Sequence, residues 1–129
     1  MHVAPFSLLE KIKKQGLVPK SKSSEFKYDS RVYLFNQCSQ QLAVNYGIYK
    51  ANQCNNKKFC VFKILKKKLE ADSSYRNGKL AFYVDNSFSA DCNVEAIFTY
   101  NNIKLSLLED ICIVFDIDDI NNPKCLKFK

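Results

Sequence analysis

His2-Val3-Ala4-Pro5, then Lys11-Ile12-Lys13-Lys14-Gln15-Gly16-Leu17-Val18-Pro19, then Arg31-Val32-Tyr33-Leu34-Phe35: these three pieces of the opening third decide how the chain is read. The first is a short strand carrying a His. The second is the end of an amphipathic helix, stopped by a glycine and then by a proline. The third is a strand carrying a Tyr, with β-branched and aromatic residues following a charge.

The helix is expected from Leu8 to about Gln15. Ser7 is placed to cap it, with Glu10 three residues on as the reciprocal partner of a capping box. Leu8, Leu9 and Ile12 share one face, while Lys11, Lys13 and Lys14 project from it. Gly16 suits a positive-φ position just beyond the last turn, and Pro19 prevents continuation. Lys20 to Ser30 is polar and without period, and reads as a loop.

Beyond this region the pattern is mixed. Ser39 to Tyr49 has helical spacing, with Leu42, Ala43, Tyr46 and Tyr49 recurring at three and four. Asn52 to Lys58 reads as a turn. Phe59 to Leu65 is apolar on both faces apart from Lys63, which predicts a central strand. Asn77-Gly78 is a turn signal, and Leu80 to Val84, Glu95 to Tyr100 and Ile111 to Ile117 read as further strands. Ile103 to Leu108 fits either state. The fold class expected is α+β: one domain over 1–129, with helices early and strands throughout the rest.

Composition narrows the setting. An apolar share of 47% over 129 residues suffices for one core. No apolar run has the length that crosses a bilayer, and no export signal is recognised. The six cysteines form no C-x-x-C pair and there is a single His, so no zinc pattern emerges and no metal is expected. Cys60 and Cys112 lie inside apolar runs and are expected to be buried, reduced thiols in a cytoplasmic protein. The formal charge of +7 comes almost wholly from lysine. Such a basic protein attracts polyanions without reading sequence. Neither a Cys–His nor a Ser–His–Asp nucleophilic site has a local signature here.

Taken in order, the set resembles the ADP-ribosyltransferase group, which includes the poly-ADP-ribose polymerases and small bacterial and phage relatives. The residues that carry the likeness are His2-Val3-Ala4 on a first strand, Ile12-Lys13-Lys14-Gln15-Gly16-Leu17 at a helix end, Val32-Tyr33-Leu34-Phe35 on a second strand, Tyr46 or Tyr49 on the following helix, and Glu95 in Val94-Glu95-Ala96-Ile97-Phe98. The likeness is good over about the first fifty residues and weaker after that.

The resemblance implies split, mostly antiparallel sheets with two helices near the N-terminus. It implies NAD as substrate, and transfer of ADP-ribose to a protein or nucleic-acid acceptor, within a larger assembly or alone. His2 would hydrogen-bond the adenine-side ribose, Tyr33 would pack along the nicotinamide, and Tyr46 or Tyr49 would stack on its other face. Glu95 would be the catalytic carboxylate, stabilising charge as nicotinamide leaves. On this reading His2 and Tyr33 lie on adjacent strands with side chains facing one cleft. RNA 2′-phosphotransferases share the likeness but rely on several arginines, and this chain has only Arg31 and Arg76. The alternative is an inactive transferase-like fold used as a binding or structural module. The lysine-rich, asparagine-rich composition is compatible with a phage protein, acting in the host cytoplasm or the virion.

Overall fold

The computed structural model describes residues 1–19, 32–35, 40–65, 83–84, 96–99 and 102–129. Among the described residues, seven strands and two α-helices run in the order β1 (His2–Pro5), α1 (Leu9–Gln15), β2 (Val32–Phe35), α2 (Gln40–Gln53), β3 (Lys58–Phe62), β4 (Tyr83–Val84), β5 (Ala96–Thr99), β6 (Ile111–Asp116) and β7 (Lys124–Lys127). They build two antiparallel sheets, one ordered β1-β3-β6-β7 and the other β2-β5-β4. The α+β class read from the sequence is therefore observed.

β3 lies between β1 and β6, the central place its two-sided apolar pattern predicts. Its residues alternate between two cores. Cys60 and Phe62 join Ala4, Leu9, Ile12, Leu17, Val32, Leu34, Cys112 and Phe128 on the face covered by α1. Phe59 and Val61 join Val3, Phe35, Ala43, Ala51 and Phe115 on the face covered by α2. Phe59 stacks on Phe115 with ring centroids 5.0 Å apart, and Phe62 meets Phe128 edge-on at 5.2 Å. Aromatic pairs of this kind add about 0.5–1.5 kcal/mol beyond the area they bury.

α2 approaches β3 closely because Gly47 faces it. A Cβ on Gly47 would stand 2.3 Å from the Phe59 ring. Gly16, with φ 73° and ψ −158°, ends α1, its N–H donating to the Ile12 carbonyl at 2.8 Å. Leu17 then exchanges two backbone bonds with Ile103, which ties the segment after α1 to the turn Leu105–Leu107.

Several sequence expectations are corrected. Phe6–Leu8 forms a 3₁₀ turn, so Leu8 rather than Ser7 occupies the cap of α1, with no side-chain cap bond. Glu10 instead faces Lys13 at 3.7 Å. α2 runs on to Gln53, past the expected end at Tyr49, with Ala51 fully buried. β3 stops at Phe62 rather than Leu65. β7 was not expected at all. The Asn77-Gly78 turn and the Lys20–Ser30 loop lie outside the described residues.

Candidate functional site

β1 and β2 meet at the junction of the two sheets. Phe35 N–H donates to the Met1 carbonyl and the Met1 amine donates to the Phe35 carbonyl, both at 2.7 Å. This reciprocal exchange is the pattern of an antiparallel hydrogen-bonded pair. Burial, followed by the nearby Lys63 charge, pushes the Met1 amine down to about 6.

His2 stands beside this pair. Its Nδ1 is 2.8 Å from the Tyr33 carbonyl oxygen. A carbonyl only accepts, so Nδ1 carries the hydrogen and donates. In the neutral ring Nε2 is then the acceptor nitrogen. The strands of His2 and Tyr33 are thus neighbours, as the sequence reading requires.

Their side chains do not face one cleft, and this corrects the expectation. His2 is in register with Phe62, whose ring belongs to the core under α1. Tyr33 lies between Val32 and Leu34, which point into that same core, so Tyr33 points the other way with Phe35. His2 therefore meets Tyr33 through the backbone carbonyl, while the two side chains leave the β1–β2 junction on opposite sides.

Tyr33, Tyr46 and Tyr49 do come together on the α2 side. Tyr46 lies against Phe35 with ring centroids 5.5 Å apart. Burial pushes its phenol well above the usual range, and Tyr33, Tyr49 and Cys54 add to the shift. Tyr49 is 54% exposed and its hydroxyl accepts from Gln53 Nε2 at 2.6 Å. Of the two helix tyrosines, Tyr46 is the one turned toward the sheet. Glu95 lies outside the described residues; β5 begins at Ala96, the register partner of Phe35.

A small apolar hollow under the start of α2 is lined by residues that include Met1, Ala43, Val61, Lys63 and Phe115. None of His2, Tyr33, Tyr46 or Tyr49 lines it. Among the described residues no group of three or more His, Cys, Asp or Glu side chains is placed to hold a metal, and no helix is long and apolar enough to cross a membrane.

One residue near the site escaped the sequence reading. Lys50, 6% exposed, shares the inward face of α2 with Ala43, Gly47 and Ala51. Removing an ammonium from water is costly unless it is compensated. The signal is present in the helical spacing from Ala43 through Gly47 to Lys50, but lysine is usually a surface residue. Comparison with protein-family models, curated proteins and solved structures gave no match for this chain.

Proposed function

We propose that this chain is an NAD-dependent mono-ADP-ribosyltransferase-like domain, with NAD as substrate and a protein or nucleic acid as the ADP-ribose acceptor, working in the cytoplasm. The observation that carries the reading is the junction of β1 and β2: His2 bonds the backbone of Tyr33 at 2.8 Å, and Tyr33 in turn lies within electrostatic reach of Tyr46 on α2. Tyr33 and Tyr46, from two of the elements that the resemblance singles out, thus share one neighbourhood, and His2 joins them through the Tyr33 backbone. Two antiparallel sheets and two early helices agree with the arrangement the resemblance implies.

In chemical terms, Tyr33 and Tyr46 offer aromatic surface for a nicotinamide ring. Tyr46 keeps its proton, so it brings a neutral hydroxyl to that surface. His2, with Nδ1–H held by the Tyr33 carbonyl, is the residue that the resemblance assigns to the adenine-side ribose. Glu95 supplies the negative charge that matters only as the glycosidic bond breaks.

The second reading is a transferase-like fold that no longer catalyses and serves as a binding module, in a phage particle or against a host protein. The departure of His2 and Tyr33 from opposite sides of the β1–β2 junction favours it, because one bound dinucleotide would have to reach both. Isothermal titration with NAD, followed by an assay for nicotinamide release, separates the two. Binding with release supports the transferase. Absence of binding at millimolar NAD rejects it and leaves the binding module.

A further inference from the structure

β7 stands last in the order β1-β3-β6-β7, so β6 occupies one of its sides and no described strand occupies the other. All four of its residues are exposed. The direction of its backbone groups follows from the register. Phe128 N–H donates to the Asp110 carbonyl at 3.0 Å, one step beyond the opposed pair Ile111–Lys127. Alternate residues of an antiparallel strand turn their backbone groups to the same neighbour. Leu126 and Lys124 therefore bond inward to β6, while the N–H and C=O of Cys125 and Lys127 point outward from the edge. The other side of β6 agrees with this alternation, because its continuation Ile117 bonds the Lys57 carbonyl at 2.8 Å, in step with β3.

The edge is anchored where β7 ends. Phe128 is buried and meets Phe62 edge-on, and Lys129 Nζ donates to the Leu108 carbonyl at 2.7 Å. An edge fixed before binding loses little freedom when a partner arrives. Its side chains set the charge of that partner. Lys124 and Lys127 are three positions apart, so they rise from opposite faces of the sheet. Among the described residues neither has an ion pair.

We propose that the outer edge of β7 takes up an extended acidic segment of another protein as an added strand. The segment exchanges main-chain hydrogen bonds with Cys125 and Lys127, the mode in which backbone gives affinity and side chains give specificity. Its carboxylates meet Lys124 on one face and Lys127 on the other, and Leu126 adds apolar contact beside Lys124. Lysine on an edge strand turns away like-charged strands. A second copy, with net charge +7 and the same two lysines, is thereby disfavoured. A phosphate backbone would satisfy the ammonium groups but has no donor for the Cys125 and Lys127 carbonyls, whereas a peptide strand supplies donors and acceptors in alternation. This inference does not depend on the NAD site, and its test contains no NAD.

The probe is a fluorescein-labelled peptide of glutamate-glutamate-valine-valine repeats, which places carboxylates on both faces of a strand. Anisotropy should show binding, and Lys124→Gln/Lys127→Gln should weaken it about fivefold, the combined effect of two exposed ion pairs. Melting curves check that the variant folds. A peptide with proline in place of each valine keeps the charge but cannot form a strand ladder, and should not bind. Hydrogen exchange read by NMR should show the Cys125 and Lys127 amides gaining protection with the probe, while the Leu126 amide, already bonded to β6, changes little. Several results would overturn the proposal: no binding of the probe, unchanged affinity in the variant, or equal binding of the proline peptide or of one with lysine in place of glutamate. Binding that leaves the Cys125 and Lys127 amides unprotected would also overturn it, as would a dimer of the free protein in which those amides are already protected.

Discussion

Gly47 of α2 and Phe59 of β3 are in contact so close that no side chain fits between them: a Cβ on Gly47 would lie 2.3 Å from two ring carbons of Phe59. Phe59 is fully buried and stacked on Phe115, so its ring has little room to yield. Gly47→Ala should destabilise the fold by about 1–3 kcal/mol through overpacking, even though alanine is the better helix former. The urea midpoint is the measurement; a gain in stability would mean that α2 moves off the sheet at no cost.

Gly16 joins a positive φ of 73° to ψ of −158°, a combination open essentially to glycine alone. The obstruction is backbone, with the Ile103 carbonyl oxygen 2.4 Å from a built Cβ. Gly16→Ala should cost about 1–3 kcal/mol. Asparagine tolerates the left-handed helical region but not this ψ, so Gly16→Asn should bring no recovery over alanine. Thermal melts of the two variants decide the point.

How far the sequence could be read depended on what each signal measures. The apolar two-sided run at Phe59 marks a central strand wherever it pairs, so β3 was legible. Register was not: a shift of one residue turns a strand's whole side-chain set over, and the opposed directions of His2 and Tyr33 follow from register alone. β7 was missed because all four of its residues, Lys124 to Lys127, are exposed at a sheet edge and leave no period to find. Asn52 and Gln53 read as a turn, yet α2 continues through them because Ala51 is anchored in the core. The choice between Tyr46 and Tyr49 rested on the rotation of α2 against the sheet, which helical spacing does not fix.

Cys60 and Cys112 are fully buried on the α1 face, as expected, while Cys54 and Cys125 are exposed. A hydrogen bond with Cys112, together with burial, holds the Cys60 thiol well above its ordinary range. Under native alkylation Cys54 and Cys125 should label readily, and Cys60 and Cys112 should stay unmodified until denaturant is added. Rapid native labelling of either buried thiol, read by peptide mass spectrometry, would contradict the packing of β3 on β6.

Tyr46 should respond to alkaline pH differently from an exposed tyrosine. Burial raises its folded-state pKa above the unfolded value of 10.0. Above about pH 10 the unfolded chain therefore releases this proton and the folded chain keeps it, so stability falls as pH rises. Tyr46→Phe should flatten that fall, and ultraviolet titration should lose one late-ionising phenol. A variant with the same alkaline stability profile as the unaltered protein would place Tyr46 in a wetter setting.

Glu95→Gln keeps shape and removes charge. If the transferase reading holds, nicotinamide release should drop about a hundredfold or more, with a much smaller change in NAD affinity. Full activity in the variant would exclude Glu95 as the catalytic carboxylate.

The reciprocal Met1–Phe35 pair has a mechanical consequence. Each sheet holds itself together with its own ladder, while among the described residues the backbone bonds between β1 and β2 fall on one residue from each side. Such an arrangement works as a latch. Yet Val32, Leu34 and Phe35 are buried among residues of the other sheet, so opening the latch also strips their apolar surface from both cores. The junction is therefore held by apolar burial as much as by its two backbone bonds, and the two sheets share their cores across it.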